Sequence, residues 1–219
     1  MTTVEKFGRV VILDGLNGSG KTTTAKELHK IMVSAGHFAH LCRDPGDTRG
    51  SEAIRKIVKD PEIPMLPLTQ MLLYTAARSE LSYRLLPFVR AGENVILDRW
   101  WPSTYAYQGA NNVEPDMIMS LMRSTTPPEF RGDNVLMFYL SLPIETAMQR
   151  SGVFSQGGGP ETGNDRFEKE GVEFQRKLEA RYRILVLMGL MREVRVDQFS
   201  SEKETAEFLW HNYIEQELA

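Results

Sequence analysis

The chain has 219 residues, 42% of them hydrophobic and 25% charged, with a formal net charge of -3. This length suits one α/β domain, and the weakly acidic balance argues against a general nucleic-acid binder while leaving room for a locally positive cleft. The single Cys42 excludes an internal disulfide, the first apolar run ends at Asp14, and no stretch approaches the ~18 apolar residues of a membrane span. We therefore expect a cytoplasmic protein with no membrane partner.

Short apolar runs alternate with stretches of helical spacing along the chain. In chain order, the predicted elements are strand 9–14, helix 21–34, strand 37–43, helices 51–59 and 68–89, strand 94–98, helices 103–109 and 115–123, strand 134–142, helices 143–150 and 165–188, strand 192–196 and helix 202–216. This alternation predicts a five-stranded parallel sheet with helices on both faces and right-handed crossovers.

Two segments interrupt this alternation. Residues 124–134 form a polar, proline-rich loop, and residues 151–164 are rich in glycine and lack any periodicity. Long loops of the second kind in compact domains are commonly lids. We therefore predict a single domain over residues 1–219 with a mobile lid at about 151–164.

A phosphate-binding loop follows the first predicted strand directly. Its sequence matches G-x-x-x-x-G-K-[ST] and opens a predicted helix, as the mechanism of phosphate binding requires. Backbone N–H groups of such a loop cradle phosphates, Lys21 can reach the β- and γ-phosphates of ATP, and the Thr22 hydroxyl can ligate Mg²⁺. The predicted ATP-binding residues are Gly15, Leu16, Asn17, Gly18, Ser19, Gly20, Lys21 and Thr22. The motif is specific for phosphate binding but does not specify a substrate.

Two adjacent charged residues lie where the third predicted strand ends: Asp98 is its last residue, and Arg99 follows it. Asp98 lies where α/β proteins place groups that face a ligand, so its carboxylate is a candidate for the Mg²⁺ shell, with a helix N-cap as the alternative. Arg99 is a candidate for neutralising phosphates during transfer, with a surface arginine as the alternative. Together with Lys21, they are the predicted catalytic residues of this part of the chain.

Several polar residues share helix faces with the spacing of a base-binding site. Tyr74 and Arg78 lie four residues apart and could stack and hold a base, although a core tyrosine beside a snorkelling arginine fits equally well. Thr104 and Gln108 could read a pyrimidine edge, or they could form a solvated face. Arg55 is a candidate phosphate clamp, and an exposed helix arginine is its alternative.

These motifs together resemble those of the bacterial thymidylate kinases. The resemblance lies in residues 44–55 (DPGDTRGSEAIR), 72–78 (LLYTAAR), 98–109 (DRWWPSTYAYQG) and 165–168 (DRFE). It implies a P-loop fold of the nucleoside-monophosphate-kinase type, ATP with Mg²⁺ as donor, and a homodimer. It also implies a cis peptide bond before Pro45.

The resemblance further implies substrate contacts from Asp14 and Tyr107, but the chain departs from the family at two positions. It has Asp14 where the family usually has Glu, and Asn17 where the family usually has Asp. Its P-loop also lacks the arginine that some relatives carry there. A lid arginine must then act, and we expect Arg166 to be the main one with Arg150 in support. Arg150 could instead interact with the C-terminus of its own helix.

The sequence therefore predicts a kinase that transfers the γ-phosphoryl group of ATP to dTMP. The acceptor could alternatively be dUMP, a 5-modified dUMP or another deoxynucleotide. A P-loop ATPase switch and an inactive scaffold are the remaining alternatives. The scaffold is disfavoured because the chain retains Lys21, Thr22, Asp98 and Arg99. The switch is disfavoured because the sequence lacks a separate glutamine signal for positioning a water molecule.

Overall fold

A single parallel sheet organises the chain. The structure is a computed structural model that describes residues 7–151 and 171–218. All pairings between neighbouring strands are parallel, and the strand order is β2-β3-β1-β4-β5. The strands are β1 (Val10–Asp14), β2 (Ala39–Arg43), β3 (Asn94–Asp98), β4 (Val135–Ser141) and β5 (Arg192–Arg195). The predicted five-stranded α/β fold is confirmed.

Helices connect these strands and pack around them. Within the part of the chain that the structure describes, they are α1 (Lys21–Ser34), α2 (Arg49–Lys59), α3 (Pro67–Arg90), α4 (Trp101–Ala110), α5 (Pro115–Thr125), α6 (Ile144–Arg150), α7 (Val172–Leu187), α8 (Glu202–Leu209) and α9 (Glu215–Leu218). Helix α1 packs against α8, and α4 packs against α7. No helix in residues 7–151 and 171–218 is long and apolar enough to span a membrane.

The central strands are buried because their sequences are continuous apolar runs. Every residue of β1 and β3 is buried, as expected for strands covered on both faces. The register pairs Asp98 with Leu13 on one side and with Arg43 on the other. The carboxyl ends of three neighbouring strands therefore meet at one edge of the sheet, where ligands bind in open α/β proteins.

The observed elements differ from the predicted ones mainly at the ends. The predicted helix 202–216 is α-helical only as far as Leu209, and a π-helical turn, Trp210–Ile214, then interrupts it. Trp210 and Ile214 at the two ends of this turn are both buried, and the amphipathic pattern of the sequence gives no signal for the wider turn. Residues 152–170, which contain nearly all of the predicted lid and the start of helix 165–188, lie outside the described residues. The prediction of one domain stays a prediction.

Candidate active site

The loop between β1 and α1 has the backbone conformation that its glycines predict. Gly18 has a φ of +83°, and a Cβ at this position would lie 2.2 Å from the carbonyl oxygen of Ala147. A residue with a side chain would therefore clash with backbone. Gly20 precedes α1 in a left-handed conformation and supplies no capping side chain. The first N–H groups of α1 are thus left for the loop or for a bound anion.

Lys21 lies folded beneath this loop. Its Nζ donates hydrogen bonds to the Leu16 carbonyl at 2.6 Å and to Ser19 Oγ at 3.3 Å, and the residue is only 6% exposed. Burial, followed by the charge of Arg99, lowers the pKa of Lys21 to about 7, although Asp98 and Asp14 oppose the shift. The ammonium is therefore poorly compensated in the free protein and would be stabilised by an incoming phosphate.

Thr22 and Asp98 meet directly although 76 residues separate them in sequence. Thr22 Oγ1 donates a hydrogen bond of 2.5 Å to Asp98 Oδ2, and both residues line the main cavity. A hydroxyl and a carboxylate side by side are oxygen ligands of the kind that Mg²⁺ prefers. No cluster of three or more His, Cys, Asp or Glu side chains in the described ranges could hold a metal by itself. The pair therefore suits Mg²⁺ that takes further ligands from phosphates.

Arg99 projects from the turn between β3 and α4 into the same cavity. Its Nη1 donates to Gly15 O at 3.0 Å, to Ser103 Oγ at 2.9 Å and to Asp14 Oδ1 at 3.3 Å, and its Nη2 donates to Asn17 Oδ1. Asn17 thus accepts a hydrogen bond through its amide oxygen. The guanidinium is held against the phosphate-binding loop.

The predicted base-binding residues come together on the opposite wall. Arg78 donates to Asp44 Oδ2 from Nε at 2.7 Å and to Thr104 Oγ1 from Nη2 at 2.8 Å, while Gln108 donates to Gln70 Oε1 at 3.3 Å. Both Thr104 and Gln108 are buried, which rules out the alternative of a solvated face. The cavity wall also includes Arg55, Tyr74 and Tyr107.

One cavity of about 370 Å³ joins the phosphate-binding loop to this wall. Its lining includes seven cationic side chains and two carboxylates, so it is strongly positive although the chain has a net charge of -3. The cations are Lys21, Arg43, Arg55, Lys59, Arg78, Arg99 and Arg150, and the carboxylates are Asp44 and Asp98. Such a cavity attracts polyanionic ligands.

Asp14 lies in a different place from the one expected for a substrate contact. Its side chain is fully buried and is not part of the cavity wall. It accepts hydrogen bonds from the backbone N–H groups of Trp100 and Ser103 and from the Tyr182 hydroxyl. Its carboxylate contacts Arg99 Nη1 at 3.3 Å from outside the cavity wall. Leu16 is likewise buried, and its carbonyl rather than its side chain serves the site.

Sequence reasoning gave no role to several residues of the site. Asp44 lies in the motif over residues 44–55, but the motif gives no sign that Asp44 pairs with Arg78. Gln70 and Tyr182 lie outside the cavity wall and hydrogen-bond to Gln108 and Asp14 respectively, and helical spacing alone gives no signal for them. The peptide bond between Asp44 and Pro45 is cis, as the resemblance implies.

Arg150 lies at the boundary of two cavities. It lines the main cavity and also a second one of about 130 Å³, whose wall includes Ser19 and the start of α8. Its guanidinium is 3.9 Å from Glu202 Oε1, so it is paired only loosely. Arg166, the other expected lid arginine, lies outside the described residues.

The parallel sheet and the glycine loop after its central strand define the class of the protein. It is an α/β P-loop protein of the nucleoside-monophosphate-kinase type.

Comparisons with known proteins identify the family. The family model described as thymidylate kinase matches residues 13–204. The chain is 33% identical over 193 residues to a thymidylate kinase of Chlorobium limicola, covering 86% of each chain. It is 35% identical over 206 residues to a thymidylate kinase of Dinoroseobacter shibae, covering 91% of this chain and 93% of the relative. The chain belongs to the thymidylate kinase family.

Proposed function

We propose that this protein is a dTMP kinase, which transfers the γ-phosphoryl group of ATP to dTMP and gives dTDP and ADP. The observation that carries the proposal is that one positive cavity joins the P-loop to the buried Arg78, Thr104 and Gln108. Family membership supports the same reaction. A donor anion and an acceptor with a polar base edge both fit such a cavity.

The donor end would be occupied by the ATP phosphates. The N–H groups of the loop and of the first turn of α1 would bind them, and Lys21 would exchange its internal hydrogen bonds for contacts to the β- and γ-phosphates. The Thr22–Asp98 pair would hold Mg²⁺, which supplies positive charge between the phosphates when it is bound. Thr22→Val would then raise the Mg²⁺ concentration needed for half-maximal rate.

The acceptor end would bind the pyrimidine through buried polar groups. Arg78 offers the guanidinium nitrogens left free by Asp44 and Thr104, and Gln108 offers the part of its amide not used by Gln70. Tyr74 offers a ring from α3 on the same wall. Arg55 would bind the 5′-phosphate, since its Nη1 already reaches into this region by donating to Pro45 O.

Transfer itself needs alignment and charge rather than a proton relay. An oxygen of the dTMP phosphate attacks the γ-phosphorus, the bond from that phosphorus to the β–γ bridging oxygen breaks, and ADP leaves with the bond's electrons. Arg99 would face the moving phosphoryl group, because it lies between the P-loop and the acceptor wall. Its charge would stabilise the negative charge that the transition state spreads over the oxygens.

A panel of monophosphates with ATP and Mg²⁺ tests the proposal, with ADP formation as the measurement. We expect dTMP to exceed dAMP and dGMP by about 10⁴ in kcat/KM, because purines would leave buried polar groups unpaired. The kcat/KM values for dUMP and for 5-modified dUMP, compared with that for dTMP, measure how strongly the site discriminates at the C5 position of the base. Equal use of purines and pyrimidines, or ADP formation that needs no acceptor, would contradict the assignment.

We also propose that the protein is a cytoplasmic homodimer, as its family membership implies. The side chains at the start of α3 include the exposed Leu66, Leu68 and Leu72. Such an apolar surface is consistent with one that a second copy of the chain covers in the dimer. Light scattering after size exclusion measures the mass, and a monomer at micromolar concentration would contradict the dimer.

A further inference from the structure

Tyr182 of α7 makes a hydrogen bond at the base of the active site without reaching the cavity. Its side chain is fully buried, and its hydroxyl donates to Asp14 Oδ1 at 2.9 Å, across 168 residues of sequence. The ring is stacked on Tyr139 of β4, with centroids 4.8 Å apart and planes 8° from parallel. Burial, followed by the charge of Asp14, raises the pKa of Tyr182 well above its ordinary value, so the phenol stays a donor.

Asp14 in turn holds the backbone from which Arg99 projects. Arg99 has a φ of +74°, a left-handed conformation that is unfavourable for a residue with a long side chain. Asp14 Oδ2 accepts hydrogen bonds from the next backbone N–H, that of Trp100, at 3.2 Å and from Ser103 N at 2.9 Å. The carboxylate therefore ties the strained turn to the end of β1. A turn of this kind persists only where its surroundings fix it.

The same carboxylate also fixes the guanidinium. Asp14 Oδ1 accepts from the Tyr182 hydroxyl, from the backbone N–H of Gly15 at 2.8 Å, from Ser103 Oγ at 2.7 Å and from Arg99 Nη1 at 3.3 Å. These donors share one oxygen, so the position of that oxygen decides how far Arg99 is drawn back from the cavity. Without the phenol hydroxyl, the remaining donors would still hold the carboxylate, but Oδ1 would lose one of its donors. We expect Oδ1 then to draw Arg99 Nη1 closer and to shift the guanidinium away from the cavity.

Helix α7 supports Arg99 through a second contact as well. The Arg99 guanidinium lies 5.6 Å from the centroid of the Tyr107 ring, and Phe174 packs edge-on against that ring at 6.2 Å. Phe174 and Tyr182 are eight residues apart on α7, and both belong to its buried stripe. Two side chains of one helix thus support one arginine from two directions.

We propose that Tyr182 is a positioning residue for phosphoryl transfer, which acts through Asp14 to hold Arg99 in line with the moving phosphoryl group. The proposal rests on the proposed kinase function. Tyr182 lies outside the cavity wall, so it does not touch a substrate. Its effect should fall on kcat rather than on the KM for dTMP, because the alignment of Arg99 matters most in the transition state.

Tyr182→Phe tests the proposal, with Tyr139→Phe as a matched control. Tyr139 belongs to the same stacked pair, but its buried hydroxyl has no hydrogen-bond partner among the described residues. We expect Tyr182→Phe to lower kcat by about 10- to 100-fold, the range typical of a misplaced catalytic group, with KM for dTMP within about twofold. Tyr139→Phe should keep kcat near that of the wild type. Asp14 retains its other donors, so both variants should fold.

A double-mutant cycle separates positioning from a general loss of structure. In an Arg99→Lys background there is no guanidinium for Asp14 to align, so adding Tyr182→Phe should cost about twofold or less. An equal cost in both backgrounds would overturn the proposal, as would a kcat for Tyr182→Phe within twofold of Tyr139→Phe. A wild-type protein without dTMP kinase activity would instead contradict the proposed function, so the two failures are distinct.

Discussion

Arg78 and Asp44 form a buried ion pair, with Arg78 Nε 2.7 Å from Asp44 Oδ2 and side chains that are only 4% and 1% exposed. The second carboxylate oxygen, Oδ1, is buried and has no hydrogen-bond partner among the described residues. Burial raises the pKa of Asp44 to about 6, although Arg78 opposes the shift. The carboxylate that anchors the proposed base-reading arginine therefore has a pKa of about 6.

Thymidine binding should weaken as the pH falls from 7 to 5. A protonated Asp44 no longer offers Arg78 a full charge, so the guanidinium loses its anchor. Thymidine is the better probe because the phosphate of dTMP itself titrates near 6. The inhibition constant of thymidine against dTMP, measured at several pH values, should rise on the acid side of about 6.

Asp44→Asn provides the control, since its amide cannot titrate in this range. Its inhibition constant should be higher than that of the wild type at pH 7 and nearly independent of pH. The pH dependence of folding stability has the opposite sign to that of thymidine binding. The pKa is higher in the folded state than the ordinary value of 3.8, so this group's contribution to stability is present at low pH and is lost as the pH rises through about 6. A thymidine constant that is flat in the wild type would contradict the assignment.

ATP binding should be accompanied by proton uptake at pH 8. The pKa of Lys21 is lowered to about 7 in the free protein, so at pH 8 the amine is neutral in most molecules. Bound phosphates would raise this pKa again. The affinity for ATP should consequently fall as the pH rises above about 7. Calorimetry in buffers of different ionisation enthalpy measures the proton uptake.

The same lysine supplies a matched control and a kinetic test. Lys21→Met should take up no proton on binding ATP, and it should lose about 10²–10³ in kcat, as expected when a preorganised charge is removed. Its melting temperature should stay near that of the wild type, because the hydrogen bonds from Lys21 to described residues all lie within the loop. A kcat like that of the wild type in this variant would contradict the assignment of the phosphate-binding loop.

The elements of the sheet could be predicted because they depend on local patterns. Strand β3, residues 94–98, is a continuous apolar run bounded by polar residues, and its predicted limits match the observed ones. The cavity wall could be predicted only in part. Helical spacing predicted that Tyr74 and Arg78 share a helix face, but it did not predict which residues lie opposite that face. Asp14 shows the limit most clearly: its partners Arg99 and Tyr182 are 85 and 168 residues away, and only the fold reveals that it faces them and not the cavity.

Gln70 should set the orientation of the Gln108 amide. Gln70 Nε2 donates to Met65 O at 3.2 Å, so its Oε1 is the atom that faces Gln108 Nε2. Gln70→Leu would remove this constraint, and the Gln108 amide could then flip to suit a different base. We expect the preference for dTMP over dCMP in kcat/KM to fall by about tenfold, the scale of one hydrogen bond.

Gln108→Leu is the comparison for this effect. It removes the amide itself, so it should cost more discrimination than Gln70→Leu and should raise the KM for dTMP. The ratio of dTMP to dCMP turnover for the three proteins, together with their melting temperatures, is the measurement. If Gln70→Leu loses stability but keeps the full preference, Gln70 serves packing alone.

The lid arginine is the remaining prediction, and Arg166 is the residue expected to act. The P-loop contributes Lys21 as its cation, and Arg99 enters from the turn after β3. We expect a third positive charge over the γ-phosphate from an arginine that borders residues 151–164. The sequence places Arg166 just after that segment, and an arginine finger typically contributes about 10³–10⁵ in rate. Arg166→Ala should therefore lower kcat by orders of magnitude with little change in the KM for dTMP.

Arg150→Ala is the matched variant, because this arginine also borders the segment and lines both cavities. Its loose contact with Glu202, at 3.9 Å, leaves it able to approach the donor nucleotide, so we expect a higher KM for ATP and a smaller loss of kcat. Glu202→Gln should change the same KM, which checks that Arg150 acts from this position. The hypothesis is falsified if Arg166→Ala keeps kcat within a few-fold of the wild type while Arg150→Ala abolishes it, since the transition-state charge would then come from α6.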